Sequence, residues 1–371
     1  MEAGPSRRIP SNTLSWKLLL LLLIFILSNG INVKWYFGFN FSNMTVPYSS
    51  ACSKTIPIAS TFPIKTTPWY TRNIYLQFSG RFGNVIFEIV GVYGMLLAAN
   101  YQKMYFVDYS MESNRQAERF MKVFPKFRCL VNIVPRLPPN LIIVNELAYN
   151  KYHRKTLDEM IAATRDVHLR TNLGVPNNWW PKYKKEIKEF LEVSEDFQKR
   201  ARSYLFQLAS NQNVSLDVRK NNLKSGISPK LPEKVPVLIG IHSRRGDKLT
   251  RYKHEGWVIP EKSYFQNAMD YYRSKFKRVY FIVVSQDKKW GKQNIVGKDV
   301  IHSTTTEDLL EFVLLTLCDH FILSIGTFGW WAGYLTGGEV VYFPEHVKPN
   351  SIVAKLFNNT QYFLPHWKPI L

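Results

Sequence analysis

Apolar positions fall into three regimes along the chain. Leu18 to Leu27 is one unbroken apolar run. From there to Trp69, Ser, Thr and Pro predominate with neither helical nor strand period, and beyond about Ile74 short apolar blocks alternate with amphipathic stretches to the end. In this third regime Ile74–Phe78 alternates as a strand does, Gly80-Arg-Phe-Gly-Asn84 turns, and Val85–Ala99 is apolar on nearly every side, which predicts a helix buried beside a sheet. Met104–Asp108 and Leu141–Asn145 predict further strands, and Trp180–Leu208 one or two exposed helices rich in Lys and Glu. Asn211 to Lys234 is polar, charged and dotted with Pro and Gly, as an interdomain linker is. A second block follows: strands at Val237–His242, Val279–Ser285, His320–Ile325 and Glu339–Phe343, with helices at Lys262–Phe276 and Thr306–Cys318. Strands that are apolar throughout and alternate with helices predict an α/β fold whose parallel sheets are covered on both faces. In such sheets ligands bind beyond the carboxyl ends of the strands.

The boundaries that follow are a cytosolic tail at 1–16, a signal-anchor transmembrane helix at 17–37, a stem at 38–68, an N-terminal domain at 69–215, a linker at 216–234 and a C-terminal domain at 235–371. The first apolar run has two readings. Ser28 and Gly30 are small residues of the kind that precede a signal-peptide cut, whereas continuation through Trp35, Tyr36 and Phe37 gives an uncleaved anchor ending in an aromatic belt. The unbroken core is short of the roughly 20 residues that span a bilayer, and the aromatic continuation restores the length. The anchor is the preferred reading. Under either, Arg7, Arg8 and Lys17 stay in the cytosol and the rest of the chain enters the secretory pathway. Glycosylation sequons at Asn40, Asn43, Asn213 and Asn358 agree with that topology.

Composition narrows the class. The chain has 371 residues, 46% of them hydrophobic, enough for a sizeable core and against disorder. The net charge of +21 suits nucleic acid, an anionic membrane or a phosphorylated small substrate, and secretory targeting argues against nucleic acid. Cys52, Cys129 and Cys318 are too few and too scattered for a zinc cluster or a disulfide framework. Cys318, within an apolar stretch, reads as a small core hydrophobe.

Three loops at predicted strand ends carry candidate chemistry. In Gly80-Arg-Phe-Gly-Asn84 the glycines let backbone N–H groups approach an anion, and the next helix adds its positive end. The spacing matches no established phosphate loop, and Asn84 as a simple helix cap is the plainer alternative. Ile241-His-Ser-Arg-Arg-Gly-Asp247 places two guanidiniums after an apolar strand, where a diphosphate would suit Arg's planar fork. In Ser324-Ile-Gly-Thr-Phe-Gly-Trp-Trp-Ala-Gly-Tyr334, Thr327 can offer its hydroxyl and N–H to phosphate. Phe328, Trp330 and Trp331 are either stacking groups or core, the core reading being the commoner for the tryptophans.

These passages, in this order and spacing, resemble the motifs of the α-1,2-fucosyltransferase family, and the likeness runs from about Ile74 to Trp367. The resemblance implies a GT-B fold of two Rossmann-like domains facing across a cleft, the first on the acceptor side and the second holding GDP-fucose. It also implies a single-pass type II Golgi membrane protein with a lumenal catalytic domain, and transfer of L-fucose to the 2-OH of a β-galactoside. Carried over by position, Arg244 holds the diphosphate and Arg245 supports it, and His242 lines the donor site. Phe82, Gly83 and Asn84 approach the pyrophosphate from the other domain, and Thr327 and Phe328 sit against the phosphates. The chain departs from the family at Val85, where Gln is usual, at Ser243, where Val is common, and at Val284–Trp290, which lacks a cysteine. No Asp-x-Asp occurs in the sequence, so no metal requirement is expected, the two arginines supplying the electrostatic role. Asp247 and Glu88 are candidate bases by position, each with a structural alternative as arginine orienter or helix-start carboxylate. A fucosyltransferase of another linkage, O-fucose or α-1,6, and a non-catalytic glycan-binding relative are the competing readings.

Overall fold

The computed structural model describes residues 72–77, 80–107, 111–129, 131–145, 154–170, 183–216, 235–249 and 253–371. The expected cytosolic tail, anchor and stem, the sequons Asn40 and Asn43, and Cys52 lie outside the described residues, as does most of the expected linker. Among the described residues, no helix is long and apolar enough to cross a membrane.

The chain builds two sheets, every strand pair in each being parallel. The first contains β1 (Asn73–Leu76), β2 (Lys103–Val107), β3 (Val131–Val134), β4 (Ile142–Asn145) and β5 (Val167–Arg170), in the order β3-β2-β1-β5-β4. The second contains β6 (Val237–Ser243), β7 (Val279–Ser285), β8 (Val300–His302), β9 (His320–Leu323), β10 (Val340–Tyr342) and β11 (Lys368–Pro369), in the order β11-β10-β9-β6-β7-β8. Renumbered from its own first strand, the second order is the doubly wound 3-2-1-4-5-6. Its switch point falls between β6 and β9, where connections leave in opposite directions and a crevice opens beyond the strand ends. The sequence therefore predicts the α/β class and its parallel sheets, and the arginine and glycine-threonine loops begin at the two strands that flank the crevice.

Helix α1 (Phe82–Ala98) has all but three of its 17 residues buried. A helix apolar all round has no solvent face, so it must be enclosed. Phe87 on α1 lies 4.7 Å from the Trp330 ring and 4.9 Å from that of Trp331, both tryptophans being fully buried. Trp330 Nε1 also donates to the carbonyl of Tyr362 at 2.8 Å. The tryptophans are thus core, and they belong to one apolar cluster running from Ile74 and Phe87 to Trp331 and Trp367, common to elements of both sheets. Helix α2 (Met111–Val123) packs against α1, with Phe120 beside Phe82. Helix α3 (Glu195–Ser210) packs on α6 (Asp308–Thr316) of the second block, reinforced by Arg200 paired with Glu307 and by Tyr204, whose hydroxyl accepts from the N–H groups of Thr304 and Thr305 at 2.8 Å. Helices α4 (Lys262–Lys275) and α5 (Lys288–Asn294) flank β7, and α7 (Thr327–Thr336) follows β9. Cys318 is buried, its thiol directed at the Leu314 carbonyl, as a core thiol would be.

Candidate active site

Between the two sheets lies a cleft of about 660 Å3, reached by residues from both. Three loops build its floor. The loop after β1 runs into α1, whose first residues Phe82 and Gly83 are buried. The loop after β9 runs into α7, with Gly326 at its N-cap in the left-handed region (φ +88°), a conformation that suits glycine. The loop after β6 lies between them and is tied down by Ser324: its hydroxyl donates to the His242 carbonyl at 2.7 Å and accepts from the Arg244 backbone N–H at 2.9 Å.

The first and third loops touch. A Cβ placed on Gly83 would lie 2.5 Å from the Phe328 nitrogen and 2.6 Å from the Thr327 carbonyl carbon, so only glycine permits this approach. Beside it, the Thr327 hydroxyl donates to Asn84 Oδ1 at 2.6 Å. Asn84 is therefore a bridge between the two blocks, and the simple capping role is displaced: the N-cap of α1 is Arg81, which makes no side-chain cap. Phe82 continues the seam, its ring 5.0 Å from Phe312 on α6, and Phe328 packs edge-on to the same Phe312 at 5.1 Å. Two helix N-termini, those of α1 and α7, thus open onto one space also lined by Arg244, which gives it the positive character an anionic ligand requires.

His242 is buried and lines the cleft, and its Nδ1 finds no hydrogen-bond partner among the described residues. Burial, and secondarily the Arg244 charge, depress its pKa to about 3, so the imidazole is neutral at physiological pH. The Nδ1 lies against Gly329 of α7, where a Cβ would stand 2.5 Å from it, so the ring is packed on the start of that helix. The same burial has a consequence for stability. The unfolded chain takes up a proton near pH 6.5 that the folded chain refuses until about pH 3. The contribution is intact above pH 6.5 and is lost progressively as pH falls toward 3. The urea midpoint of the detergent-solubilised chain is expected to decline from pH 6.5 to 4, and His242→Gln to decline less steeply. His346, also lowered by burial, to about 4, keeps part of the slope. Equal slopes for the two proteins would mean that the folded imidazole titrates normally.

The structure separates the two arginines. Arg244 lines the cleft; Arg245 does not. Only 6% exposed, Arg245 lays its guanidinium over the Trp290 ring at 3.8 Å, donates to the Pro260 carbonyl at 3.3 Å and stands 3.7 Å from Glu261. This corrects the expectation of a guanidinium pair facing one diphosphate. The chain leaves β6 extended, and consecutive side chains of extended backbone point to opposite sides, so one arginine faces the ligand and the next is a strut beneath the loop. Trp290, in the segment that departs from the family pattern, is what holds it.

Asp247 falls in the short helix Gly246–Leu249, and its side chain lies outside the described residues. Glu88 is fully buried within α1 and does not line the cleft, which removes it as a base for an incoming hydroxyl. Asn213 occupies an exposed turn, and Asn358 is the N-cap of the helix Asn359–Tyr362, its Oδ1 accepting from the Thr360 N–H at 3.0 Å. Sequence reasoning missed Ser324, Trp257, Gln286 and Glu311. Ser324 had a detectable signal, a hydroxyl at a strand end just before Gly-Thr. Ser324 lies beneath the cleft, whereas Trp257, Gln286 and Glu311 line it from two loops and a helix. Among the described residues no three His, Cys, Asp or Glu side chains gather as a metal site would require.

Comparisons with known proteins agree with the motif reading. The family model "Glycosyl transferase family 11" matches residues 140–370. The chain is similar to galactoside alpha-(1,2)-fucosyltransferase 1 of Bos taurus, 37% identical over 145 residues, covering 38% of this chain and 40% of that protein. It is also similar to the protein of the same name from Homo sapiens, 30% identical over 220 residues, covering 57% and 55%. The chain thus spans about half the length of these curated relatives, or less. Among solved structures, fucosyltransferase NodZ from Bradyrhizobium aligns with a TM-score of 0.43 and 13% identity, covering 71% of this chain and 93% of that one. A mutant Arabidopsis thaliana FUT1 in complex with GDP aligns with a TM-score of 0.43 and 12% identity, covering 80% of each. With the family model spanning well over half of its residues, the chain belongs to glycosyl transferase family 11.

Proposed function

We propose that this protein transfers L-fucose from GDP-fucose to the 2-OH of a β-galactoside on a glycan, in a GT-B arrangement whose second sheet holds the donor. One observation supports this above the rest: the doubly wound sheet places Arg244, His242 and the N-terminus of α7 around a single switch-point crevice, with α1 closing it from the first sheet. The relatives, named as galactoside alpha-(1,2)-fucosyltransferases, support the 2-linkage and the galactoside acceptor. The N-terminal apolar run with its basic flank supports a type II Golgi anchor with the catalytic part lumenal, and glycosylation at Asn40, Asn43, Asn213 and Asn358.

The chemistry requires little of the protein beyond positioning and charge. The acceptor oxygen forms its bond to C1 of fucose as the bond from C1 to the β-phosphate oxygen breaks, in line and with inversion. GDP leaves with the electron pair, and its phosphate oxygen can take the acceptor's proton, so no carboxylate base is assigned. Negative charge builds on the leaving diphosphate, and the Arg244 guanidinium and the Thr327 backbone N–H at the start of α7 stabilise it, the Thr327 hydroxyl being engaged with Asn84. His242, neutral, orients the donor without adding charge. Detergent-solubilised protein given GDP-fucose and a β-galactoside is expected to form a product that methylation analysis shows to be 2-linked, with the rate largely kept in EDTA. A 3- or 6-linked product would overturn the linkage, and a complete loss in EDTA restored by Mn2+ would overturn the electrostatic role given to Arg244.

A further inference from the structure

The cleft runs along the carboxyl ends of β7, β6, β9 and β10, and its two ends differ. At the β7 end Val284 and Glu311 are buried and Gln286 is exposed, and Arg119 on α2 pairs with Asp308 at the start of α6, linking the two blocks beside the opening. At the β10 end the lining includes His254 and Ile352, both exposed, with Glu255 and Trp257 half-buried. A sugar carried on a larger glycan has to enter from an open rim.

Trp257 is held unusually firmly for a residue on such a rim. The Val258 N–H donates to the His346 carbonyl at 2.9 Å and the Lys348 N–H to the Gly256 carbonyl at 2.8 Å, so the backbone on both sides of Trp257 is bonded to the segment that follows β10. Gly256 has φ +101°, and a Cβ there would meet the Ser351 side chain at 2.1 Å. The indole packs edge-on to Phe357, ring centres 5.9 Å apart, and its Nε1 donates to Glu255 Oε2 at 3.1 Å, which fixes its orientation. A rigid aromatic face beside a carboxylate, both lining a cleft, matches a pyranose. In galactose the C3, C4 and C5 hydrogens share one face and form an apolar patch that stacks on an indole, while a carboxylate accepts from the ring hydroxyls.

We propose that Trp257, oriented by Glu255, is the platform on which the acceptor's galactose ring rests. The proposal builds on the fucosyl-transfer reading and adds where the acceptor binds. Trp257→Ala in the full chain is expected to raise the acceptor KM about tenfold, the scale of one aromatic stacking contact. GDP affinity measured by calorimetry should change less than twofold, which also reports a folded cleft. Trp257→Phe should bring the acceptor KM back to within about threefold of wild type. If Trp257→Ala fails to fold, Glu255→Gln gives the same split between acceptor KM and GDP affinity. An unchanged acceptor KM in a variant that still binds GDP overturns the platform, as does a loss confined to GDP binding, which would place the nucleotide's base on the indole. A wild-type protein that binds GDP but forms no fucosylated product would instead remove the underlying transferase reading.

Discussion

Arg244→Ala is expected to lower kcat/KM for GDP-fucose about a thousandfold, while Arg245→Ala lowers stability and leaves much of the per-molecule activity of the folded fraction. The Arg244 side chain lines the cleft at the switch point, but the loop it belongs to is held by its backbone N–H on Ser324, a bond that alanine keeps. Truncation therefore removes a charged donor without releasing the loop. A donor aimed at charge that develops only as the diphosphate leaves contributes about 3 to 4 kcal/mol, hence the factor. Arg244→Lys keeps the charge but loses the planar fork, and is expected to recover about tenfold of the loss. At Arg245 the guanidinium is buried over Trp290 and bonded to Pro260. Its removal costs about 2 kcal/mol from the desolvated cation–π contact, read as a shift in urea midpoint. Steady-state kinetics with GDP-fucose, normalised to the GDP-binding fraction, separate the two cases. Equal kinetic losses at both positions would return the guanidinium pair to the cleft.

The legible parts of this fold were those where burial leaves a long uniform signal. β7 was delimited to the residue because Val279–Ser285 is apolar without a break, and α1 was found because no polar stripe interrupts it. β3 and β5 escaped notice for the opposite reason. Val131–Val134 and Val167–Arg170 are four residues each, with one polar residue in the first and two in the second, and obtain their strand character from neighbours that no local pattern reveals: Asn132 pairs with Tyr105 and sends its side-chain amide to the Met104 carbonyl, and His168 pairs with Tyr75. Helix 111–123 was hidden by its mostly polar face. In the site, the glycine and arginine loops were readable because strand ends in a parallel sheet converge. Which of two adjacent arginines would face the ligand depended on the backbone direction at the end of β6. Trp257 depended on a bridge to Val347, ninety residues away in sequence, and no spacing rule reaches that far.

Gly83→Ala is expected to separate the two blocks at the cleft floor, reducing stability by about 3 kcal/mol and transfer by at least a hundredfold. The added methyl would sit 2.5 Å from the Phe328 nitrogen and 2.6 Å from the Thr327 carbonyl carbon. Both are backbone atoms of a helix start, so no rotamer change relieves the clash, and one helix must withdraw. Phe82 on one side and Asn84 on the other make the seam with Phe312 and Thr327, so withdrawal pulls on both contacts together. The distance from Arg244 to whatever α1 contributes to the anion would grow in the same step. Misplacement of about 1 Å in a site that works by positioning can itself cost a hundredfold. Asn84→Ala provides the control, since it deletes the hydroxyl-to-amide bridge but leaves the close approach; its expected cost is about 1 kcal/mol and a much smaller kinetic effect. Urea titration and GDP-fucose kinetics on both variants decide the matter. If Gly83→Ala were as mild as Asn84→Ala, the joint would be compliant, and the rigid floor from which the site's geometry follows would not exist.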